Sequence, residues 1–225
     1  MDAGELTIKI KADGNVTVEE SNGGIKSHKA ISPDEFLKCI KHSLKRGGIE
    51  SGLLPSNCIS FTAQDDGSRE TCILHPEKTA DITFMNTEYK NFPLPRMVFG
   101  IKTTAEGRVS SCRVAIMELN GKPARPKTKL YKWPFSNVSG THLCLGNNPL
   151  PRHKSLHTLG SVPYLILSMP NNLDNFHASN NRMGLEMREL LELLKDKCQA
   201  YYYDENLLIP SGMELGDFLS NKNII

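Results

Sequence analysis

The stretch RMVFGIKTTAEGRVSSCRVAIMEL, residues 96–119, decides the fold class. Two apolar runs flank the turn residues 105–107, and such a pair of runs predicts two antiparallel strands joined by a hairpin. Three earlier runs have the same strand character: NCISFT, ETCILH and ADITFMN, at residues 57–62, 70–75 and 80–86. We therefore predict an antiparallel meander over residues 52–119.

Helical and hairpin patterns lie on either side of this meander. Ser32 precedes Pro33 at the start of a helical repeat of apolar residues, which predicts a helix with an N-cap serine. Residues 183–198 form a second amphipathic pattern, and YLILSM, at 164–169, is compatible with a strand or a buried loop. Residues 5–19 alternate around an Asp-Gly-Asn turn and predict an N-terminal hairpin. The predicted class is α+β, with helices flanking an antiparallel sheet.

Composition and charge exclude several classes of protein. Of the 225 residues, 39% are apolar and 23% are charged, which is ordinary for a globular protein. A net charge of +2 gives no reason to expect nucleic acid or a membrane surface as a partner. The first residues lack the apolar run of a signal peptide, and no run reaches the roughly 18 apolar residues of a membrane span. We expect a cytoplasmic protein.

The six cysteines differ in their settings. No two are spaced as a CxxC pair, so we expect neither a zinc site nor another cofactor, and we expect free thiols. Five of them lie in or beside helical or strand-like patterns, where a small buried thiol is the ordinary interpretation. Cys144 lies in a Gly- and Asn-rich part of the loop 120–151, which also contains five prolines and Trp133. Long loops in compact domains are often functional.

Cys144 has the setting that acyl transfer by a thiol requires. Such a thiol must be accessible, and a hydrogen-bond donor must meet the oxyanion that develops on the attacked carbonyl. Asn137 and the backbone N–H groups of Leu145 and Gly146 are candidate donors, although an Asn before a Ser-Gly turn also commonly caps the turn. His142 is a candidate to lower the pKa of the thiol, or an ordinary surface residue. Trp133 and Phe135 are expected to anchor the loop on the sheet.

The segment WPFSNVSGTHLCLGN, residues 133–147, resembles the active-site segment of ubiquitin-conjugating enzymes, in which a His-Pro-Asn triplet precedes a Cys-Leu pair. Flanking segments resemble prokaryotic family D, the branch that includes PRTRC system protein B. These segments are LLPSNCISF (53–61), FPLPRMVFGI (92–101), PARPKTKLYKWPFSNV (123–138), NFHASN (175–180) and LLIPSGMELGDFL (207–219). The resemblance covers roughly residues 50–220.

The resemblance implies a fold, a reaction and partners. The fold is a ubiquitin-conjugating-enzyme-like domain at 31–225, with a four-stranded antiparallel meander and flanking helices, preceded by a β-hairpin extension at 1–30. Cys144 would carry a ubiquitin-like protein as a thioester, received from an activating enzyme of the ThiF type. Asn137 would hold the loop or donate to the oxyanion, and His177 would orient the nucleophile or act as a general base. A metal-dependent isopeptidase encoded nearby would complete the pathway.

Departures from the family pattern keep other functions open. Phe135 and Ser136 replace the His and Pro of the triplet, and Leu145 stands where this branch often has Trp. A conjugating fold that only binds a ubiquitin-like protein or an activating enzyme is one alternative. A cysteine hydrolase that uses Cys144 with His177 is another, although Pro149 and Pro151 argue against a helix starting at the cysteine.

Overall fold

Antiparallel strands and short helices make up the computed structural model of the chain, which describes residues 5–22, 25–43, 51–118, 123–146, 150–203 and 207–220. The strands are β1 (Glu5–Ile10), β2 (Val16–Asn22), β3 (Ile25–Ile31), β4 (Cys58–Ala63), β5 (Arg69–His75), β6 (Lys78–Phe84), β7 (Thr87–Leu94), β8 (Met97–Thr103), β9 (Val109–Met117), β10 (Lys129–Tyr131), β11 (Val138–Ser139), β12 (His142–Leu143) and β13 (Pro210–Glu214). The α-helices are α1 (Pro33–Ser43), α2 (Val162–Leu167), α3 (Met187–Leu194) and α4 (Leu215–Leu219). The predicted α+β class is confirmed.

Contacts divide the chain into two compact units, residues 1–50 and 51–225. In the first unit β1, β2 and β3 form an antiparallel sheet, so the predicted N-terminal hairpin is extended by a third strand. The alternation that reveals a strand is missing from β3, because nearly all of its residues are exposed. Helix α1 begins as predicted: the Ser32 hydroxyl accepts a hydrogen bond from the Glu35 amide at 3.2 Å. The proposed domain boundary after residue 30 stays a prediction.

The main sheet of the second unit has the strand order β11-β12-β9-β8-β5-β4, with antiparallel neighbours throughout. β10 pairs with both β9 and β13. The two apolar runs of residues 96–119 form β8 and β9, which pair over residues 97–103 and 109–116. The sheet therefore places the short hairpin β11–β12 beside β9.

The prediction of a meander of four consecutive strands is wrong in one respect. β5 pairs with β8 instead of β6, and β6 pairs with β7 in a separate two-stranded sheet. Pro76 and Pro95 lie at the two ends of this insertion, and a proline cannot donate to a strand ladder. The run ADITFMN thus belongs to a hairpin that is inserted in the chain between β5 and β8, which are neighbouring strands of the main sheet.

Both faces of the main sheet are covered. Alternate residues of β8 and β9, such as Phe99 and Val114, join the larger core together with buried residues of α2 and α3. Their neighbours Val98 and Ala115 join a smaller core with Leu215 and Phe218 of α4. This burial explains why residues 97–101 and 112–117 form continuous apolar runs, apart from Arg113, instead of alternating.

Arg113 is a buried charged residue of β9. Its guanidinium forms an ion pair with Glu70, donates to the Phe218 carbonyl at 2.9 Å and lies 4.3 Å from the centre of the Phe218 ring. These contacts hold α4 against the sheet and compensate the guanidinium for its loss of water.

Two predictions, the strand or buried loop at 164–169 and the helix at 183–198, need correction. The segment YLILSM is largely helical, because α2 spans Val162–Leu167 and buries Val162, Pro163, Ile166 and Leu167 on one side. Pro163 lies in its first turn, where a missing N–H costs no helical hydrogen bond. The helix predicted at 183–198 is shorter, since α3 spans Met187–Leu194 and begins at a capping box made by Glu186 and Glu189.

Candidate active site

Asn137 and Cys144 lie opposite each other at the open end of the hairpin β11–β12. Val138 pairs with Leu143 and Ser139 with His142, and the Cys144 amide then donates to the Asn137 carbonyl at 2.7 Å. Gly140 begins the two-residue turn at a φ of +60°, a conformation that glycine adopts without strain. The predicted irregular loop is therefore a tight hairpin at this point.

Hydrogen bonds fix the hairpin from two sides. The Val114 amide of β9 donates to the Thr141 carbonyl at 2.8 Å, next to the pairing of His142 with Arg113. On the other side the Asn137 amide donates to the Asp174 carbonyl at 2.7 Å. The cysteine thus follows a hairpin that is tied both to the main sheet and to the segment after α2.

Asn137 adopts a left-handed backbone conformation, with a φ of +64°. Asparagine tolerates this region better than most residues that carry a side chain. Within the described part of the chain, no hydrogen bond joins its side-chain amide to another residue. The backbone of Asn137 therefore shapes the hairpin, and the residue lines the cavity described below.

The two residues before Asn137 are buried. Phe135 packs edge-on against Trp133, Phe92 and Tyr202, with ring centres 5.4–6.3 Å apart. The Trp133 indole donates to the Ser136 carbonyl at 3.0 Å. The predicted anchoring of the loop by Trp133 and Phe135 is confirmed. Phe135 is a core residue, and it stands at the position of the histidine in the triplet of conjugating enzymes.

Asn171 is a member of this site that the sequence analysis missed. Its side-chain oxygen accepts a hydrogen bond from the Ser136 hydroxyl at 3.2 Å, and its side-chain nitrogen donates to the Thr83 carbonyl at 3.2 Å. Its backbone exchanges further hydrogen bonds with Thr83 and Met85. Asn171 therefore joins the β6–β7 hairpin to the active-site loop.

Asn137 and Cys144 line a common cavity of about 40 Å³. Cys144 is exposed at this cavity. Most of the lining is apolar and comes from the loop, from β12 and from α2, with Leu143, Ile166 and Leu167 among its members. The structure therefore brings together two of the three predicted site residues, at a small apolar cavity.

The two predicted histidines are placed elsewhere. His142 lines a different, larger cavity of about 510 Å³, together with Lys132 and Asn180. His177 is exposed and precedes the 3₁₀ turn Ala178–Asn180. It is not one of the described residues that line the cavity at Cys144.

Burial separates Cys144 from the cysteines of the sheet. Cys72 and Cys112 are buried, and burial raises the pKa of each thiol to about 12. Burial also raises the pKa of Cys58, which is partly exposed. Cys39 and Cys198 are exposed, like Cys144. Because the thiolate is the nucleophile, the two most buried cysteines are poor candidates for acyl transfer.

A family model, prokaryotic E2 family D, matches residues 36–210. The chain belongs to this family. The matched residues include Asn137, Cys144 and His177. They do not include the strands β1, β2 and β3. Comparisons with curated proteins and with solved structures gave no match. Membership indicates a role like that of a conjugating enzyme, whereas the likeness to PRTRC system protein B stays a prediction.

The described parts of the chain contain neither a candidate metal site nor a membrane-spanning helix. No group of three or more His, Cys, Asp or Glu residues there is arranged to hold a metal ion. No helix in the same residues is both long enough and apolar enough to span a bilayer.

Proposed function

We propose that this family D chain is a conjugating enzyme that carries a ubiquitin-like protein as a thioester on Cys144. One observation supports this proposal above the others: the exposed residue Cys144 and Asn137 line the same cavity at the end of an anchored hairpin. Acyl transfer requires a nucleophile and an oxyanion donor within reach of one carbonyl group.

The first step is transfer between two thiols. The Cys144 thiolate attacks the carbonyl carbon that joins the ubiquitin-like protein to a cysteine of the activating enzyme. A new C–S bond forms, the old one breaks and the thiolate of the activating enzyme leaves. The Cys144 amide already donates to Asn137, so the side-chain amide of Asn137 is the better candidate to donate to the oxyanion.

The second step releases the acyl group to an amine or to another thiol. With an amine, a C–N bond forms, the C–S bond to Cys144 breaks and the amine loses a proton. We propose that His177 orients the attacking amine or thiol or accepts its proton as a general base, because it lies outside the cavity on an exposed segment. We propose that the activating enzyme is of the ThiF type and that the reaction takes place in the cytoplasm. A metal-dependent isopeptidase is proposed to reverse the modification.

Thioester formation on Cys144 can be tested directly. The chain is incubated with a ubiquitin-like protein, its activating enzyme and ATP, and is then run on a gel without reducing agent. We expect an adduct that disappears on treatment with thiol, is absent in Cys144→Ala and persists in Cys198→Ala. Cys198 is a matched control because it is also an exposed cysteine. An adduct that persists in Cys144→Ala would contradict the proposal.

A binding module without catalysis is the second candidate. It is favoured by the burial of Phe135 and Ser136, which serve the core where conjugating enzymes have the His and Pro of the triplet. This candidate predicts that Cys144→Ser binds the activating enzyme or the ubiquitin-like protein as tightly as the unmodified chain. It also predicts that no thioester forms under any condition in which binding is saturated.

A further inference from the structure

The cavity beside Cys144 is small and apolar. Side chains of β6, β7, the active-site loop, α2 and α3 line it, among them Ile82, Leu94 and Met187. None of the described lining residues carries a charge. Its volume of about 40 Å³ corresponds to about three water-sized groups, which is about the size of an isopropyl group.

The polar groups in the lining are largely engaged with each other. The Ser136 hydroxyl donates to the Asn171 side chain, which itself donates to the Thr83 carbonyl. A charged group that entered this cavity would lose its water and find no partner of opposite charge, which is costly. A small apolar group would instead gain from its removal from water.

We infer that this cavity receives a small apolar side chain near the C-terminal end of the acyl donor. The inference rests on the proposed function and specifies its substrate. Because Cys144 itself lines the cavity, a group that fills it while the thiol reacts belongs to the chain attached to the attacked carbonyl. The preferred donor carries an Ala- or Val-sized residue in one of its last two positions, and basic or aromatic residues there are disfavoured.

The reaction that tests this inference needs no activating enzyme. Short peptides are prepared as thioesters of mercaptoethanesulfonate, with Gly, Ala, Val, Leu, Phe or Arg at the last or at the next-to-last position and Gly at the other. The Cys144 thiolate attacks the thioester carbonyl, a C–S bond forms to Cys144 and mercaptoethanesulfonate leaves. The rate of loading onto the full chain is followed by mass spectrometry, and Cys144→Ala provides the background.

In one of the two positions we expect Val to load about tenfold faster than Gly, because up to three carbon atoms leave water. Phe and Arg at that position should load no faster than Gly. Ile166→Phe should fill the cavity and abolish the preference for Val. Leu165→Phe is the matched control, because Leu165 is the exposed neighbour of Ile166 on α2 and does not line the cavity.

Two measurements keep the result interpretable if a variant is damaged. Alkylation of Cys144 by iodoacetamide should be equally fast in Ile166→Phe and Leu165→Phe. Equal rates would show that neither substitution changes the reactivity of the thiol. Ile166→Ala should enlarge the cavity and shift the fastest donor from Val to Leu. Equal loading of all donors, or a preference for Val that persists in Ile166→Phe, would overturn the inference.

The outcomes also separate this inference from the proposed function. A preference for Val in loading, without any adduct from the activating enzyme and ATP, would support the cavity and refute the enzymatic pathway. An adduct from the activating enzyme without a preference among peptide thioesters would refute the cavity inference alone. A preference seen only among amine acceptors during discharge would assign the cavity to the acceptor and overturn the inference.

Discussion

Replacement of Asn137 by glycine and by alanine separates its backbone from its side chain. The backbone φ of +64° is accessible to glycine without strain but costs an alanine about 1 kcal/mol. We therefore expect Asn137→Ala to lower the free energy of unfolding by about 1 kcal/mol and Asn137→Gly to change it by less than about 0.5 kcal/mol. With a urea dependence of about 2 kcal/mol per M, the alanine variant should unfold at about 0.5 M less urea.

Catalysis should respond differently from stability. Both substitutions remove the side-chain amide, and loss of one oxyanion donor costs about 10²–10³ in rate. After Cys144 has been loaded from a peptide thioester, its discharge to an amine should therefore slow about 100-fold or more in both variants. Discharge at the unmodified rate by Asn137→Gly would refute the role of the side chain. Equal stability of the two variants would refute the conformational reasoning.

The remaining predictions concern buried groups. Tyr202→Phe should lower the free energy of unfolding by about 1–3 kcal/mol, as measured by urea denaturation, because the buried hydroxyl donates to the Pro93 carbonyl at 2.8 Å. Iodoacetamide at pH 8 should label the exposed cysteines of the folded chain and leave Cys72 and Cys112 unlabelled until urea unfolds it, as followed by mass spectrometry. Burial of His75 lowers its pKa below the ordinary value of 6.5, and the positive charge of the nearby Lys78 makes a smaller contribution in the same direction. The free energy of unfolding should therefore fall as the pH drops from 7 through 6.5, and His75→Gln should flatten this dependence in urea denaturation measured at each pH.

Each of these predictions has its control. Tyr201→Phe changes a partly exposed neighbour of Tyr202 and should alter stability by less than about 0.5 kcal/mol. Rapid labelling of Cys112 in the folded chain would contradict its burial. His157→Gln changes an exposed histidine and should leave the pH dependence as it is. A dependence that survives His75→Gln unchanged would assign it to another group.

The strands of the main sheet could be predicted because burial leaves a record in the sequence. β5, β8 and β9 contain short apolar runs, and the turn residues 65–67 and 105–107 lie beside them, as is typical of buried strands. β7 was missed because TEYKNFPL contains charged residues and a proline, which are typical of loops. α2 was misread because a six-residue apolar run has no length over which a helical period can show.

The candidate site could be predicted only in part. Cys144 and Asn137 were found because they lie in one short segment, and that segment resembles a known motif. The hairpin that joins them was not predicted, because its strands are only two residues long. These strands also depend on pairing with β9, which lies more than 20 residues earlier in the sequence. Asn171 was missed for the same reason, since its contacts with Ser136 and Thr83 exist only after folding.

Trp133 gives the chain a natural optical probe at its most informative place. It is the one tryptophan of the sequence, and its ring lines both the cavity at Cys144 and the larger cavity at His142. Indole emission depends on the polarity of the surroundings, so a side chain that enters either cavity should change the fluorescence of the whole protein. Loading and discharge can therefore be followed in real time without an added dye, in the same cuvette and on the unmodified chain.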